Sequence, residues 1–322
     1  MITRIIDSVE IMATVANHFV TNQTPPISGH NAFRLNPLLL QIASDLDADI
    51  LKDFDQIGSY ALSPEAQDLA RMANENTPRL KAYDRYGNRV DEIEFHPAYH
   101  ALMRRSVSYG LSSSVWEDAA RGNSDGHFKR AVRYFMLAGL ETGHLAALSS
   151  TNGAVAALMT TPTLAKEWAP RVTSRQYDSS NKSPVDKKCL TLSHGIAEKQ
   201  AGTDFSAIAT RAEPVKNDVY RIIGHKWFLA SPMADAFVIL ARTEVGVSAF
   251  LVPRFLADNE HNKIHLVALK DTLGNRSAAT AEAEFDGSIA QLIGQEGQGA
   301  AVINELLTLT RLDATIAACG IM

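Results

Sequence analysis

The segment GIAEKQAGTDFSAIATRA, Gly195 to Ala212, sets two acids, a lysine and a threonine among small residues, between apolar stretches that read as strands. Ala201 and Gly202 let a backbone approach a ligand closely, Thr203 offers a hydroxyl and an amide to a phosphate oxygen, and Asp204 can cap or brace the turn. Taken alone this is also an ordinary polar loop. The pairing that favours a ligand is IIGHKWFLAS further along, an apolar and aromatic strand able to wall a flat ring.

Other patterns invite chemistry with less force. HPAYH places His96 and His100 four apart, a spacing that suits one metal on one helical face, yet it lacks the glutamate of a zincin and a third ligand. A helix cap and a half-buried imidazole explain the pair equally, and no metal is expected. GQEGQG, Gly294 to Gly299, lies between a strand and a helix, where amides can cradle phosphate. Its glycine order reverses the dinucleotide fingerprint, so it reads as a tight turn. No Gly-x-Ser-x-Gly elbow occurs, and neither cysteine stands in a nucleophile's context.

The elements that must position these residues follow from periodicity. Residues 1 to about 35, with NQTPPISGHNAF, form an arm or edge. Leu38, Leu39, Ile42, Leu46, Ile50 and Leu51 recur at helical spacing, Ser63 and Pro64 cap and open a further helix, and Pro97 opens another after the polar turn KAYDRYGNRVDEIEF. Past the linker SSNKSPVDKK the period falls to two, in KCLTLSH, AIATRAEP, VYRIIGHKWFLAS, AFVILARTE, VSAFLVPRF, KIHLVAL and TAEAEF, a compact antiparallel sheet or barrel. The final stretch is helical again, with Val302, Ile303, Leu306, Leu309, Leu312 and Ile316 in a wide apolar stripe. Such a stripe wants a partner surface, from another subunit or from more chain, and removing residues 300 to 322 is expected to raise solubility. The expected organisation is α+β: an α-helical N-terminal domain over 1–185, an antiparallel β-barrel or sandwich over 186–294, and only the first helix of a C-terminal bundle over 295–322.

Composition bounds the partners. The 322 residues carry a net charge of −5 with a pI near 6.1 and 46% hydrophobic content, which supports a large core and offers no basic field for nucleic acid. Cys189 and Cys319 read as two buried thiols in a reducing compartment. The start carries Asp7 and Glu10 in its most apolar part and no small-residue cleavage site, so no secretory signal is expected, nor any membrane span, and the location expected is cytoplasmic.

Read together, GIAEKQAGTDFSAIATRAEPVKNDVYRIIGHKWFLASPMADAFVILART resembles the central β-domain of acyl-CoA dehydrogenases, whose signature runs small-apolar-Thr-Glu-x-x-small-Gly-Ser/Thr-Asp. NQTPP, EIEFHPAYHALM, FLVPRF and LKDTLGNRSAATAEAEF extend the resemblance over nearly the whole chain and toward the alkylation-response, AidB-like subgroup. The resemblance implies FAD as cofactor, an acyl-CoA or related substrate, a homotetramer, and oxidation by α-proton abstraction with hydride passing to flavin N5. Carried over by motif, the flavin would lie against His194, Gly195, Ile196, Ala197, Glu198, Lys199, Gln200, Ala201, Gly202 and Thr203, with Thr203 near the pyrophosphate, and against Phe228, Leu229 and Ala230 along the ring.

Three departures qualify this. The signature threonine is Ala197, and the hydroxyl residue expected beside N5 is Ala230, with Ser231 one place on and facing the other way. Only the start of the family's C-terminal bundle is represented, so no catalytic base is identified: Thr310 stands beside Arg311 where some members carry a carboxylate, and Asp313 does not match. The expected function is an FAD-dependent, AidB-like acyl-CoA dehydrogenase impaired by truncation; the alternative is a non-catalytic AidB-like protein that protects DNA or acts as a scaffold, although the family's DNA-binding region is missing.

Overall fold

The computed structural model describes residues 21–322; the sequence readings that fall on residues 1–20, the first part of the arm and the start with Asp7 and Glu10, lie outside the described residues. Residues 21–36 run without regular structure into α1 (Pro37–Ile42), α2 (Ala48–Ala61) and α3 (Pro64–Glu75). The apolar run from Leu38 to Leu51 is therefore two helices, broken at 43–47, and Leu38, Leu40 and Ile42 stay exposed. Ser63 accepts the Ala66 amide at 3.1 Å with Pro64 at the first helical position, the cap its sequence foretells.

The segment read as a polar turn builds a hairpin, β1 (Arg79–Tyr83) and β2 (Arg89–Glu94), because Gly87 takes φ 87° and Asp84 accepts the amides of Tyr86 and Asn88. Five helices follow: α4 (Pro97–Ser108), α5 (Ser114–Ala120), α6 (Gly126–Ala138), α7 (Gly143–Met159) and α8 (Pro162–Val172). α7 is apolar on all sides and buried along nearly its whole length, which makes it the axis of the helical layer.

The middle of the chain forms a seven-stranded sheet from β3 (Leu192–Gly195), β4 (Arg211–Lys216), β5 (Val219–Ala230), β6 (Ala236–Arg242), β7 (Val247–Pro253), β8 (Ile264–Leu269) and β9 (Thr280–Ile293), in the order β3-β5-β4-β6-β7-β9-β8. Further pairings of β3 with β6 and of β5 with β9 curl it on itself. Here the expected antiparallel sheet needs correction: it is mixed, since β3 runs parallel to β6 from Leu192↔Ala236 to Gly195↔Ile239, and β4 touches β6 in parallel at Arg211↔Arg242. β3 enters from the helical layer through the long 173–191 connector, so no tight turn forces it antiparallel to its neighbour. AIATRAEP is strand only from Arg211; Phe205–Ala207 is a single 3-10 turn.

The chain closes with α9 (Gly299–Ile321), reached through a turn at Gly294 (φ 72°) and Gly297 (φ 77°), the tight-turn reading of GQEGQG. Its stripe is largely covered by this chain. Val302, Ile303 and Leu306 are buried against α7 and the sheet, Ile316 packs on the helical core, and Leu312 remains exposed. The close fit is visible at Gly153, where a Cβ would meet the Leu306 carbonyl at 2.9 Å. The two cysteines are not alike: Cys189 is buried, with its thiol pushed up to about 12 by burial, while Cys319 is exposed on α9, since its side points away from α6 and α7.

Candidate functional site

β3 and the end of β5 make one wall. Gly195 pairs with Leu229, the Ser193 hydroxyl donates to the Ala230 carbonyl at 2.5 Å, and the Trp227 amide donates to the Ala197 carbonyl at 2.8 Å. A Cβ at Gly195 would meet Leu229 Cδ1 at 2.8 Å, so glycine permits this approach of the two strands. Between Lys226 and Leu229 the β5–β9 register shifts. That bulge turns Phe228 out to 49% exposure while Leu229 is fully buried. Of the three residues expected along a ring, Phe228 and Ala230 thus share the open face, and Leu229 can offer only its backbone. Ser231 leaves the strand at φ 42° and is buried, so it is not on the face that Phe228 and Ala230 share.

The loop that follows β3 is fixed from beneath. Glu198 and Lys226 form an ion pair at 2.6 Å with both side chains fully buried. The same carboxylate accepts Gln200 Nε2 at 2.6 Å, the Ala209 amide at 2.8 Å and the Thr210 amide at 3.2 Å. Burial acts to raise the Glu198 pKa, but the Lys226 charge and these donors outweigh it and hold it at about 2, whereas burial pulls Lys226 down to about 8. Glu198 is thus a brace for the loop and presents no oxygen to a ligand. Ala201 is buried over it, Gly202 and Thr203 are exposed, and Asp204 accepts the Ser206 amide at 2.9 Å, the bracing role its position suggests. Lys199 and Gln200 are exposed, Gln200 with its amide turned back onto Glu198 and Lys199 with Nζ 5.0 Å from the Trp227 ring centroid and its amide donating to His225 Nε2 at 3.1 Å. Ile196 and Ala197 are half-buried beside them. His194 Nδ1 has no partner among the described residues, and burial lowers the imidazole pKa to about 4, so the ring is neutral.

A third segment reaches the wall from the far side. Lys270 Nζ sits 3.3 Å from the Trp227 ring centroid and 4.8 Å from that of Phe228, paired with Glu282 at 2.7 Å. The segment's other end returns through the Ala279 carbonyl, which accepts the Ser231 amide at 3.1 Å.

The remaining candidates resolve into structural roles. His96 caps α4 by accepting the Ala98 amide on Nδ1 at 3.2 Å, and His100 bonds Tyr177 Oη at 2.9 Å. Asp313 forms a bidentate pair with Arg130, at 2.5 and 2.8 Å, with both side chains buried. Both Asp313 oxygens are thus engaged by Arg130, and Thr310 stands beside Arg311. Sequence reasoning missed the Glu198–Lys226 and Arg130–Asp313 pairs; the one hint is a lysine inside the apolar strand IIGHKWFLA.

Known proteins resemble the chain along nearly its whole length. The family described as the adaptive response protein AidB N-terminal domain matches residues 22–179, and the acyl-CoA dehydrogenase middle domain matches 193–288. The putative acyl-CoA dehydrogenase AidB of Escherichia coli is 37% identical over 307 residues, covering 95% of this chain and 56% of that protein. Acyl-CoA dehydrogenase family member 11 of Caenorhabditis elegans is 30% identical over 328 residues, covering 94% and 50%. The chain therefore spans about half the length of the curated relatives it matches. Among solved structures, the Bd2924 apo-form superimposes with a TM-score of 0.82 at 25% identity, over 92% of this chain and 60% of that one. Caenorhabditis elegans ACDH-11 in complex with C11-CoA gives 0.79 at 28% identity, over 96% and 55%.

Proposed function

This chain belongs to the acyl-CoA dehydrogenase family, in its AidB-like branch, and from that premise we propose that it is the N-terminal and middle part of an FAD-dependent oxidoreductase acting on acyl-CoA thioesters. The observation that carries the proposal is the half-exposed Phe228 and small Ala230 face of β5, which adjoins β3 where Gly195 pairs with Leu229, together with a loop braced by the buried Glu198–Lys226 pair that leaves Gly202 and Thr203 exposed. That face suits a flat ring, and His194 on the adjoining β3 has a buried Nδ1 with no partner among the described residues. His194 to Ala197, Phe228 and Ala230 would line the isoalloxazine. Gly202 and Thr203 would take the pyrophosphate, and Glu198 would act only through the backbone it fixes. When bound, FAD supplies a two-electron acceptor for acyl-thioester oxidation. Ala197 and Ala230 withhold two side-chain hydrogen bonds, at about 1 kcal/mol each, so affinity is reduced but not abolished.

The cytoplasm and a homo-oligomer complete the reading, the latter supported by Leu312 and Ile321 exposed on α9. A non-catalytic, scaffold or DNA-protecting role is the second reading. It is favoured by the pairing of Asp313 with Arg130 and by Thr310 at the base position. Absorbance of the purified chain during FAD titration tests the first reading. Blue and near-ultraviolet bands that persist through gel filtration are the expected result, and a colourless protein that ignores FAD would refute it.

A further inference from the structure

The proposed site makes no use of the polar cluster centred on Glu141. Its connectivity is that of a hydrolase triad: Ser106 Oγ lies 2.9 Å from His144 Nε2, and His144 Nδ1 lies 2.6 Å from Glu141. Yet Ser106 is 1% exposed and His144 not at all, which leaves no face for a substrate. The Glu141 carboxylate is instead saturated, accepting the amides of Gly143 and His144 at 2.8 and 2.9 Å, Ser277 Oγ at 2.8 Å and Asn74 Nδ2 at 3.2 Å. A buried hub in which every member is satisfied fixes the positions of its parts.

Those parts come from α3, from α4, from the α6–α7 turn and, through Ser277, from the segment whose two ends touch the wall. Thr142 Oγ1 adds a second pin by donating to Asn275 Oδ1 at 2.5 Å. Gly143 lets the segment come close: a side chain there would collide with Ser277 and stand 3.1 Å from the Ala278 amide. Ahead of these pins the segment is open to solvent, with Leu273 fully exposed, and its start is tied to β9 by the Lys270 amide donating to the Thr280 carbonyl at 2.8 Å.

We infer that Glu141 is a positioning residue for the wall: by docking Ser277 onto the helical layer it sets Lys270 over Trp227 and Phe228 and fixes the strand end at Ala230. Only the consequence for flavin rests on the function proposed above.

The test reads the wall directly. Among the described residues the indole nitrogens of Trp116 and Trp168 have no hydrogen-bond partner, so replacing both with Phe leaves Trp227 as the sole tryptophan without removing a hydrogen bond. In this background Thr142→Ala/Ser277→Ala, which spares the His144 and backbone donors to Glu141, is expected to raise acrylamide quenching of Trp227 about twofold or more as the segment opens locally. Glu141→Gln should do the same, with far-UV circular dichroism unchanged. Should Glu141→Gln fail to fold, the double variant decides, since it removes only the two hydroxyls that join the segment to the α6–α7 turn. Quenching equal to that of the parent in a folded double variant would overturn the inference. A parent that ignores FAD would count against the flavin site and leave the quenching result standing on its own.

Discussion

Replacing Lys226 with methionine removes one half of the fully buried pair under the loop and retains most of the side-chain volume. In the native protein the Glu198 pKa falls from the ordinary 4.5 to about 2, which at about 1.4 kcal/mol per tenfold change in proton affinity corresponds to ~3 kcal/mol of pH-linked stability. Because the folded value is the lower one, that stability is present above pH 4.5 and is lost as pH falls through about 2. In Lys226→Met the carboxylate keeps its amide donors but loses its countercharge, and a buried charge stripped of its partner costs about 3–5 kcal/mol near neutral pH. Burial then dominates and raises the Glu198 pKa, so the variant gains stability as pH falls, opposite to the native trend. Urea unfolding followed by circular dichroism at pH 7.5 and pH 5 gives both quantities. The expected result is a deficit of several kcal/mol at the higher pH that narrows at the lower. A deficit below ~1 kcal/mol, or one that is equal at both pH values, would refute the assignment of loop rigidity to this pair.

Two further predictions concern the ring face and the last helix. Ala230→Thr restores a hydroxyl on the open side of β5 and is expected to tighten FAD by roughly tenfold at most, measured by fluorescence titration; unchanged affinity would place the ring elsewhere. Deleting residues 300–322 removes the buried side chains of Val302, Ile303 and Leu306, each worth ~1.5–3 kcal/mol, and leaves Arg130 buried without Asp313. Lower yield and aggregation are therefore expected in soluble expression trials, the reverse of what the bare apolar stripe suggests.

Caps, helical periodicity and the change from period 3.6 to period 2 were legible in the sequence because they depend on neighbours a few residues apart: Ser63 and Pro64 act within one turn, and the alternation along β5 is set by the chain's own pleat. The turn chemistry of the loop from Gly195 to Thr203 was legible for a similar reason, since its small residues sit close together, whereas its link to Phe228 came from the family resemblance. Glu198 was read as a ligand contact, and only the fold shows it turned inward to Lys226, because which side of a loop faces the core depends on a strand 28 residues away. The parallel run of β3 beside β6, the cover that α6 and α7 give to α9, and the convergence of Glu141, His144, Ser106 and Ser277 are likewise decisions of tertiary structure. Each joins segments far apart in the chain, and desolvation of a charge or the closing of an apolar face is a property of the assembled neighbourhood that no local pattern records.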